Sequence, residues 1–316
     1  MIISFTWEEL ADKQKAQLSS SPFLFVAGHR AISSERIIKI AHELSKLKLP
    51  IVWGALRDKY IPGLENSPIF LSHGEAALSK TLEGAGELKN ITLLSYFQRH
   101  WKYIIEQTKP KAAIVLHGSH SRMLHLREEY WLMLRNKIAV KQLSNFNSEI
   151  EAANYLKSVS KHLTGFNSFD QEKVYGDKEL LELASKASLA SWDRTFRAGA
   201  VLSQNGKVIA TSHNTVLPAE YSMLHKGSRK EKYFSPPQDQ NFYDTNHAEM
   251  ELLITAAAES VKLSECVMHV NLMPCEGCAR VLARSGIKKI VYGIEQTQKH
   301  SYEILKSSGV DVMLEA

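Results

Sequence analysis

His247-Ala248-Glu249 and, further on, Pro274-Cys275-Glu276-Gly277-Cys278 are the residues on which the reading of this chain turns. Each group stands where apolar periodicity predicts a helix to begin, and Pro274 suits such an entry. Cys275 and Cys278 are three apart, so on a helix they share a face and can both reach one ion, as zinc–sulfur bonds of about 2.3 Å require. A helix N-terminus also lowers a thiol's pKa, which favours the thiolate that zinc binds. Two thiolates and the imidazole of His247 leave a tetrahedral zinc with one position open to water, the arrangement of a catalytic centre. Zinc lowers the pKa of its bound water from about 15.7 to about 7, and Glu249 is placed to collect the proton.

Either group alone supports other readings. A Cys-x-x-Cys can be half of a zinc ribbon or a redox pair. A ribbon needs a second pair of ligands, and the chain has three cysteines, of which the third, Cys266, stands alone on a predicted strand. A redox pair leaves His247 and Glu249 without a role.

Around these groups, residues 166–316 read as a mixed α/β domain. Asp177–Ser191 is predicted helical. Ala198–Ser203 and Val208–Ser212 form a hairpin turning at Asn205-Gly206. From Asn246 onward the pattern is helix, strand (Val267–Asn271), helix (Cys275–Ser285), strand (Lys289–Tyr292), helix (His300–Ser307) and strand (Val310–Met313). Between them, Asn214 to Thr245 is a polar stretch without periodicity, far longer than the usual connection of about 4–6 residues, and such a loop is either functional or a disordered, solvated one.

Residues 1–165 repeat strand–helix units: strands at Phe23–Ala27, Ile51–Trp53 and Ala112–Leu116, helices at Ser33–Leu47, Tyr96–Gln107 and Ser121–Arg135. This grammar predicts a Rossmann-like parallel sheet, with the domain boundary near residue 165. Gly28-His29-Arg30 and Gly118-Ser119-His120-Ser121-Arg122 stand at strand-to-helix turns, where such sheets bind anions, but neither is a nucleotide-binding fingerprint. The stripe Tyr130, Trp131, Leu134 and Ile138 reads as core or interface packing.

The composition is that of a globular protein of two domains, without a run long and apolar enough to span a membrane or the layout of a signal peptide, so a cytoplasmic location is expected. The 22 Lys and Arg against 15 Asp and Glu of residues 1–165 contrast with 17 against 19 in residues 166–316. The half carrying the chemistry is not basic, which favours a small substrate over a long nucleic acid, whose phosphates demand positive charge.

H-x-E with P-C-x-x-C is the signature of the zinc deaminases. With Ala198-Gly199-Ala200-Val201, Asn205–Ala210, Ser212-His213-Asn214, Gly286–Tyr292 and Gly309-Val310, about residues 175–316 resemble the cytidine and deoxycytidylate deaminase superfamily, most closely its deoxycytidylate deaminases. The resemblance implies a three-layer α/β/α domain, one zinc ion per chain held by His247, Cys275 and Cys278, and a homo-oligomer. It implies hydrolytic deamination of a cytosine nucleotide such as dCMP, zinc-activated hydroxide attacking C4 while Glu249 carries protons. It makes Asn214 a candidate for holding sugar or base and Arg197 one for phosphate; Ala248, between ligand and acid, completes that set. Lys226, Arg229, Lys230 and Lys232 of the long loop, with Tyr221, Tyr233 and Phe234, form a mixture able to hold a phosphate and cover a base. The loop has His225 but no cysteine, so the second zinc of some deoxycytidylate deaminases is not expected. Two alternatives stand beside this reading: a base deaminase acting on tRNA or single-stranded DNA, using the N-terminal basicity, and a nucleotide-depleting effector whose first domain binds a regulatory nucleotide.

Overall fold

The computed structural model describes residues 2–20, 24–27, 32–57, 74–84, 86, 90–118, 124–193, 196–232, 243–295 and 300–315. The chain divides into two compact units: Met1–Ser158 with Tyr221–Phe242, and Val159–Glu220 with Tyr243–Ala316. The division thus lies slightly before residue 165, and part of the long polar stretch belongs to the first unit.

In the first unit the order is β1 (Ile3–Thr6), α1 (Asp12–Ser20), β2 (Leu24–Ala27), α2 (Ser34–Ser45), β3 (Ile51–Leu56), α3 (Glu75–Glu83), β4 (Ile91–Tyr96), α4 (Trp101–Thr108), β5 (Ala112–Leu116), α5 (Glu128–Arg135) and β6 (Ala139–Leu143), followed by α6 (Glu149–Thr164), within which the division at Ser158 falls. These six strands pair in the order β1-β4-β3-β2-β5-β6, all parallel, as the Rossmann-like expectation requires. The order reverses between β2 and β5. Alternate side chains serve opposite faces: Phe25, Val52, Leu94 and Val115 pack with Trp101, Ile104, Leu132 and Met133 of α4 and α5, while Val26, Trp53, Leu93 and Ile114 pack with Ile37, Ile40 and Leu44 of α2 and Leu78 and Leu82 of α3. Burial on both faces is why these strands read as continuous apolar runs.

Tyr96, expected at a helix start, instead ends β4, and helix α4 begins at Trp101. Of the α5 stripe, Ile138 is buried, whereas Trp131 and Leu134 are about two-fifths exposed, at 42% and 44%. Gly28-His29-Arg30 and Ser119–Arg122 lie outside the described residues.

The second unit contains α7 (Asp177–Ser188), β7 (Gly199–Gln204), β8 (Lys207–His213) and β9 (Thr215–Val216). The chain then contributes α8 (Ser222–His225) and α9 (Arg229–Lys232) to the first unit. It returns as β10 (Thr245–Asn246), α10 (Ala248–Ala258), β11 (Val267–Leu272), α11 (Glu276–Ser285), β12 (Lys289–Ile294), α12 (His300–Ser307) and β13 (Asp311–Leu314). Asn205 and Gly206 take φ of 52° and 76°, the two positive values that a tight type I′ hairpin turn needs. The sheet order is β13-β12-β11-β7-β8, with β11, β12 and β13 parallel and β7 and β8 antiparallel. Register lines up Leu202, Met268, Ile290 and Val312 across the sheet. This row packs against Leu252 of α10, Leu282 of α11 and Leu305 of α12. Val201, on the other face, packs against Leu180 and Ala184 of α7. Helices on both faces make the three layers expected of this domain.

Candidate active site

Helices α10 and α11 begin at the two sequence groups singled out above. His247 is the N-cap of α10, with extended φ and ψ of −78° and 155°. Cys275 is the N-cap of α11, its Sγ accepting the backbone N–H of Cys278 at 3.5 Å in place of the usual hydroxyl or carboxylate. The parallel neighbours β11 and β12 deliver α11 beside α10, and the packing of Ala248, Leu252, Cys278 and Leu282 in one core holds the two helix starts together.

The result is a convergence of three donor atoms. His247 Nδ1 lies 3.4 Å from Cys275 Sγ and 3.4 Å from Cys278 Sγ. Bonds of about 2.0–2.1 Å to nitrogen and about 2.3 Å to sulfur place tetrahedral zinc ligands roughly 3.6 Å apart, so these residues fit a zinc ion. No other group of three or more His, Cys, Asp or Glu with ligand spacing occurs among the described residues. The Cys275 thiol is pulled down to about 3, first by its hydrogen bond from Cys278 and then, against burial, by His247. The hydrogen bond between His247 and Cys275 raises the pKa of His247, against burial.

Glu249 projects from the first turn of α10 and is 3% exposed. Burial raises its pKa, and its Oε2 has no hydrogen-bond partner among the described residues. A buried oxygen left without a partner costs roughly 1–3 kcal/mol, a cost that a substrate or water proton would remove.

Asn214 follows β8 and is buried. Its Oδ1 accepts the N–H of Ala248 at 3.0 Å and its Nδ2 donates to the Phe196 carbonyl at 3.0 Å. Ser212, not among the sequence candidates, donates to the Ala248 carbonyl at 2.7 Å. Ala248 itself is fully buried. Two further residues that sequence reasoning missed brace this edge. Asp193 accepts from Phe196 N at 3.0 Å and from Thr245 Oγ1 at 3.3 Å. Asn271 accepts from Gly199 N at 2.9 Å and donates to the Arg197 carbonyl at 3.5 Å. A lone Asp or Asn has no spacing signature, so no local pattern could have found either. Burial draws the Arg197 guanidinium down to about 10, with Asp193 opposing.

His247, Glu249, Cys275, Cys278, Asn214, Ala248 and Arg197 all belong to the second unit. Lys226, Arg229 and Lys230 belong to the first. There Lys226 Nζ bonds Glu149 Oε1 at 2.9 Å, Tyr221 Oη approaches the same oxygen at 3.3 Å, and Arg229 and Lys230 lie on α9. Tyr233 and Phe234 lie outside the described residues. No helix among the described residues is long and apolar enough to cross a membrane.

Residues 177–312 match the model of the MafB19-like deaminase family. The deoxycytidylate deaminase of Enterobacteria phage T4 is 26% identical over 166 residues, spanning 42% of this chain and 86% of the phage protein. That of Homo sapiens is 28% identical over 115 residues, spanning 32% of this chain and 64% of the human protein. Among solved structures, the dCMP deaminase of cyanophage S-TIM5 in complex with dCMP and dUMP is 20% identical, covers 43% of this chain and 95% of its own, and has a TM-score of 0.35.

Proposed function

We propose that the second unit is a zinc-dependent hydrolase that converts a cytosine nucleotide, dCMP in the first instance, to the uracil nucleotide and ammonia. The observation that carries this reading is the meeting of His247, Cys275 and Cys278 beside the buried carboxyl of Glu249. The similarity to deoxycytidylate deaminases supports a nucleotide as substrate. One zinc ion per chain, held by these three residues, would supply the acidity that lets water act as a nucleophile at neutral pH.

The chain's own groups manage the protons. Overall, a bond from C4 to water oxygen forms and the bond from C4 to the exocyclic amine breaks. Glu249 Oε2 takes one proton from the attacking water and delivers it to ring N3, then takes the remaining proton from the new C4 hydroxyl and passes it to the departing amine, which leaves as ammonia while C4 becomes a carbonyl. Asn214 positions this carboxyl by holding the Ala248 N–H, and one amide hydrogen of its Nδ2 is left for a sugar hydroxyl. Arg197 is the phosphate-binding candidate within this unit. The reading includes a homo-oligomer, as the resemblance implies, and a cytoplasmic location, as expected from the sequence.

A regulated form of the same chemistry draws support from one observation. Residues 221–232, part of the stretch between β9 and β10 that leads on to His247, belong to the first unit. Nucleic-acid editing gains no such support.

The test is ammonia release from cytidine, deoxycytidine and their mono- and triphosphates by zinc-loaded protein, beside Glu249→Ala. Consumption of dCMP by the native protein and none by a variant that retains its zinc is the expected result. Zinc-loaded protein that turns over none of these would overturn the small-nucleotide reading.

A further inference from the structure

Two side chains hold the backbone on either side of His247, and both of them also hold Phe196. Asp193 Oδ2 accepts the hydroxyl of Thr245, two residues before His247, at 3.3 Å, and Asn214 Oδ1 accepts the N–H of Ala248, one residue after it, at 3.0 Å. Asp193 Oδ1 accepts the Phe196 N–H and Asn214 Nδ2 donates to the Phe196 carbonyl, both at 3.0 Å. These bonds close a ring. It runs from Thr245 through Asp193, Phe196 and Asn214 to Ala248, and returns along the backbone through His247 and Asn246.

The Asn214 side of the ring is anchored to helix α10, and the Asp193 side to β10, where the hold is otherwise weak. β10 is two residues long, pairing Thr245 with Val216 and Asn246 with Thr215, with one further bond from Leu217 N to the Asp244 carbonyl at 2.9 Å. A two-stranded ribbon is marginally stable by itself, so this pairing leaves the approach to His247 poorly fixed.

Asp193 is built into its place. It is 7% exposed, and the fully buried Ser191 accepts its backbone N–H at 3.1 Å while donating to the Asn214 carbonyl at 2.6 Å. A carboxylate taken out of water is costly unless its oxygens are hydrogen-bonded, and bonds to a charged acceptor are the stronger kind. Each of its oxygens therefore resists letting go of its partner. One partner leads to His247 and the other to the residue that Asn214 holds.

We propose that Asp193 is a positioning residue for the deamination: through Thr245 it fixes the strand that presents the His247 imidazole, and through Phe196 it keeps that strand in step with Asn214 and the first turn of α10. It acts through these residues and not on the substrate. The inference rests on the deaminase reading above and adds to it a residue outside the His-x-Glu and Cys-x-x-Cys groups.

The experiment compares the native full-length protein with Thr245→Val, which removes the hydroxyl and keeps the shape, Thr245→Ser, which keeps the hydroxyl, Asp193→Ala, and the double variant Asp193→Ala with Thr245→Val. One readout is kcat and KM for dCMP at matched zinc content. The other is the visible absorption of cobalt(II) loaded in place of zinc, which reports the arrangement of the ligands whether or not a substrate turns over. Thr245→Val should lower kcat about tenfold, the weight of one hydrogen bond, with KM within about twofold of native, because misplaced catalytic groups cost rate before affinity. Its cobalt bands should shift, and Thr245→Ser should restore both kcat and bands. Asp193→Ala should lose at least as much, and the double variant no more than Asp193→Ala, since both changes remove the same bond. Thr245 is half-buried, so its variants carry the test even where loss of the Asp193 carboxylate prevents folding. Native kcat and native bands in Thr245→Val overturn the proposal, as does a Thr245→Ser protein as impaired as Thr245→Val. Native protein that loads cobalt and converts none of the nucleotides defeats the substrate reading, while the cobalt bands of the variants still decide this proposal.

Discussion

Asn214 Oδ1 accepts the backbone N–H of Ala248 at 3.0 Å, so the strand end that follows the first hairpin of the second unit is tied to the first turn of the helix that carries Glu249. That N–H is one of the helix-start donors with no partner inside the helix, and Ala248 is fully buried, so water cannot replace Asn214. The same amide holds Phe196, and Ser212 holds the Ala248 carbonyl. His247 and Glu249 flank the residue that this network pins.

Asn214→Ala should therefore cost roughly 1–3 kcal/mol of stability in the second unit, the penalty for a buried donor without an acceptor. Turnover should fall by more than substrate affinity does, because the carboxyl loses its placement. Urea denaturation and steady-state kinetics check this. Asn214→Asp keeps the acceptor for Ala248 but sets a carboxylate oxygen against the Phe196 carbonyl, so it too should be destabilised, and less so at a pH where the carboxyl is protonated; a native urea midpoint in Asn214→Ala would refute the role of these bonds.

Gly199 begins β7 pressed against α7. A Cβ there would meet the Ala184 carbonyl and come within 2.6 Å of Ser188 N, both backbone atoms that cannot swing aside. Gly199→Ala should destabilise the second unit by about 1–3 kcal/mol or more through forced separation of helix and strand. A melting temperature equal to the native one would refute this packing.

The second unit should lose stability in mild acid through His269 and Asp177. His269 Nε2 lies 2.8 Å from Asp177 Oδ1, and Lys289 Nζ lies 3.1 Å from Oδ2. Burial lowers the pKa of His269, with Asp177 opposing. Burial would raise that of Asp177, but the bonds from His269 and Lys289 outweigh it and lower it. A group whose pKa is depressed by folding binds protons more readily when unfolded. Its stabilising effect is present above the unfolded-state value and is lost as pH falls. For His269 that loss begins near pH 6.5, and for Asp177 it continues below the carboxylate range. Urea midpoints measured from pH 8 to pH 5 should fall, and His269→Gln should flatten the first part of the decline.

Metal analysis of the purified protein should find one zinc ion per chain, and Cys275→Ala, Cys278→Ala and His247→Ala should each lose most of it. Because Cys278 lies in the core of the second unit and Cys275 packs against it, removing the ion with a chelator should lower the melting temperature. Glu249→Gln should keep both the zinc and the melting temperature of the loaded protein. A Cys278→Ala protein with native zinc content would remove Cys278 from the ligand set.

Much of this molecule is legible in local sequence because the deciding interactions are local. Asn205-Gly206 marks its turn since few residues accept two consecutive positive φ angles. Ala112–Leu116 reads as a buried strand because helices cover both of its faces. β6 is not legible in the sequence for the opposite reason: its residues are half exposed at the sheet edge, and Lys141 and Gln142 break the apolar run. β4 was hidden by Ser95 and by the helix beginning soon after it.

The sequence by itself determined the donor set and the elements that carry it. Spacings of two and three residues at helix starts give the same local geometry in any surroundings, so His247, Glu249, Cys275 and Cys278 could be named without coordinates. Only the tertiary structure decided that β11 brings Cys275 and Cys278 to His247, and that the Asn214 side chain is engaged in holding Ala248. It also decided that Lys226, Arg229 and Lys230 fold with the first unit. These are relations between residues distant in the chain. They depend on which faces are buried together and which polar atoms burial leaves unpaired, and no local pattern of residues encodes either.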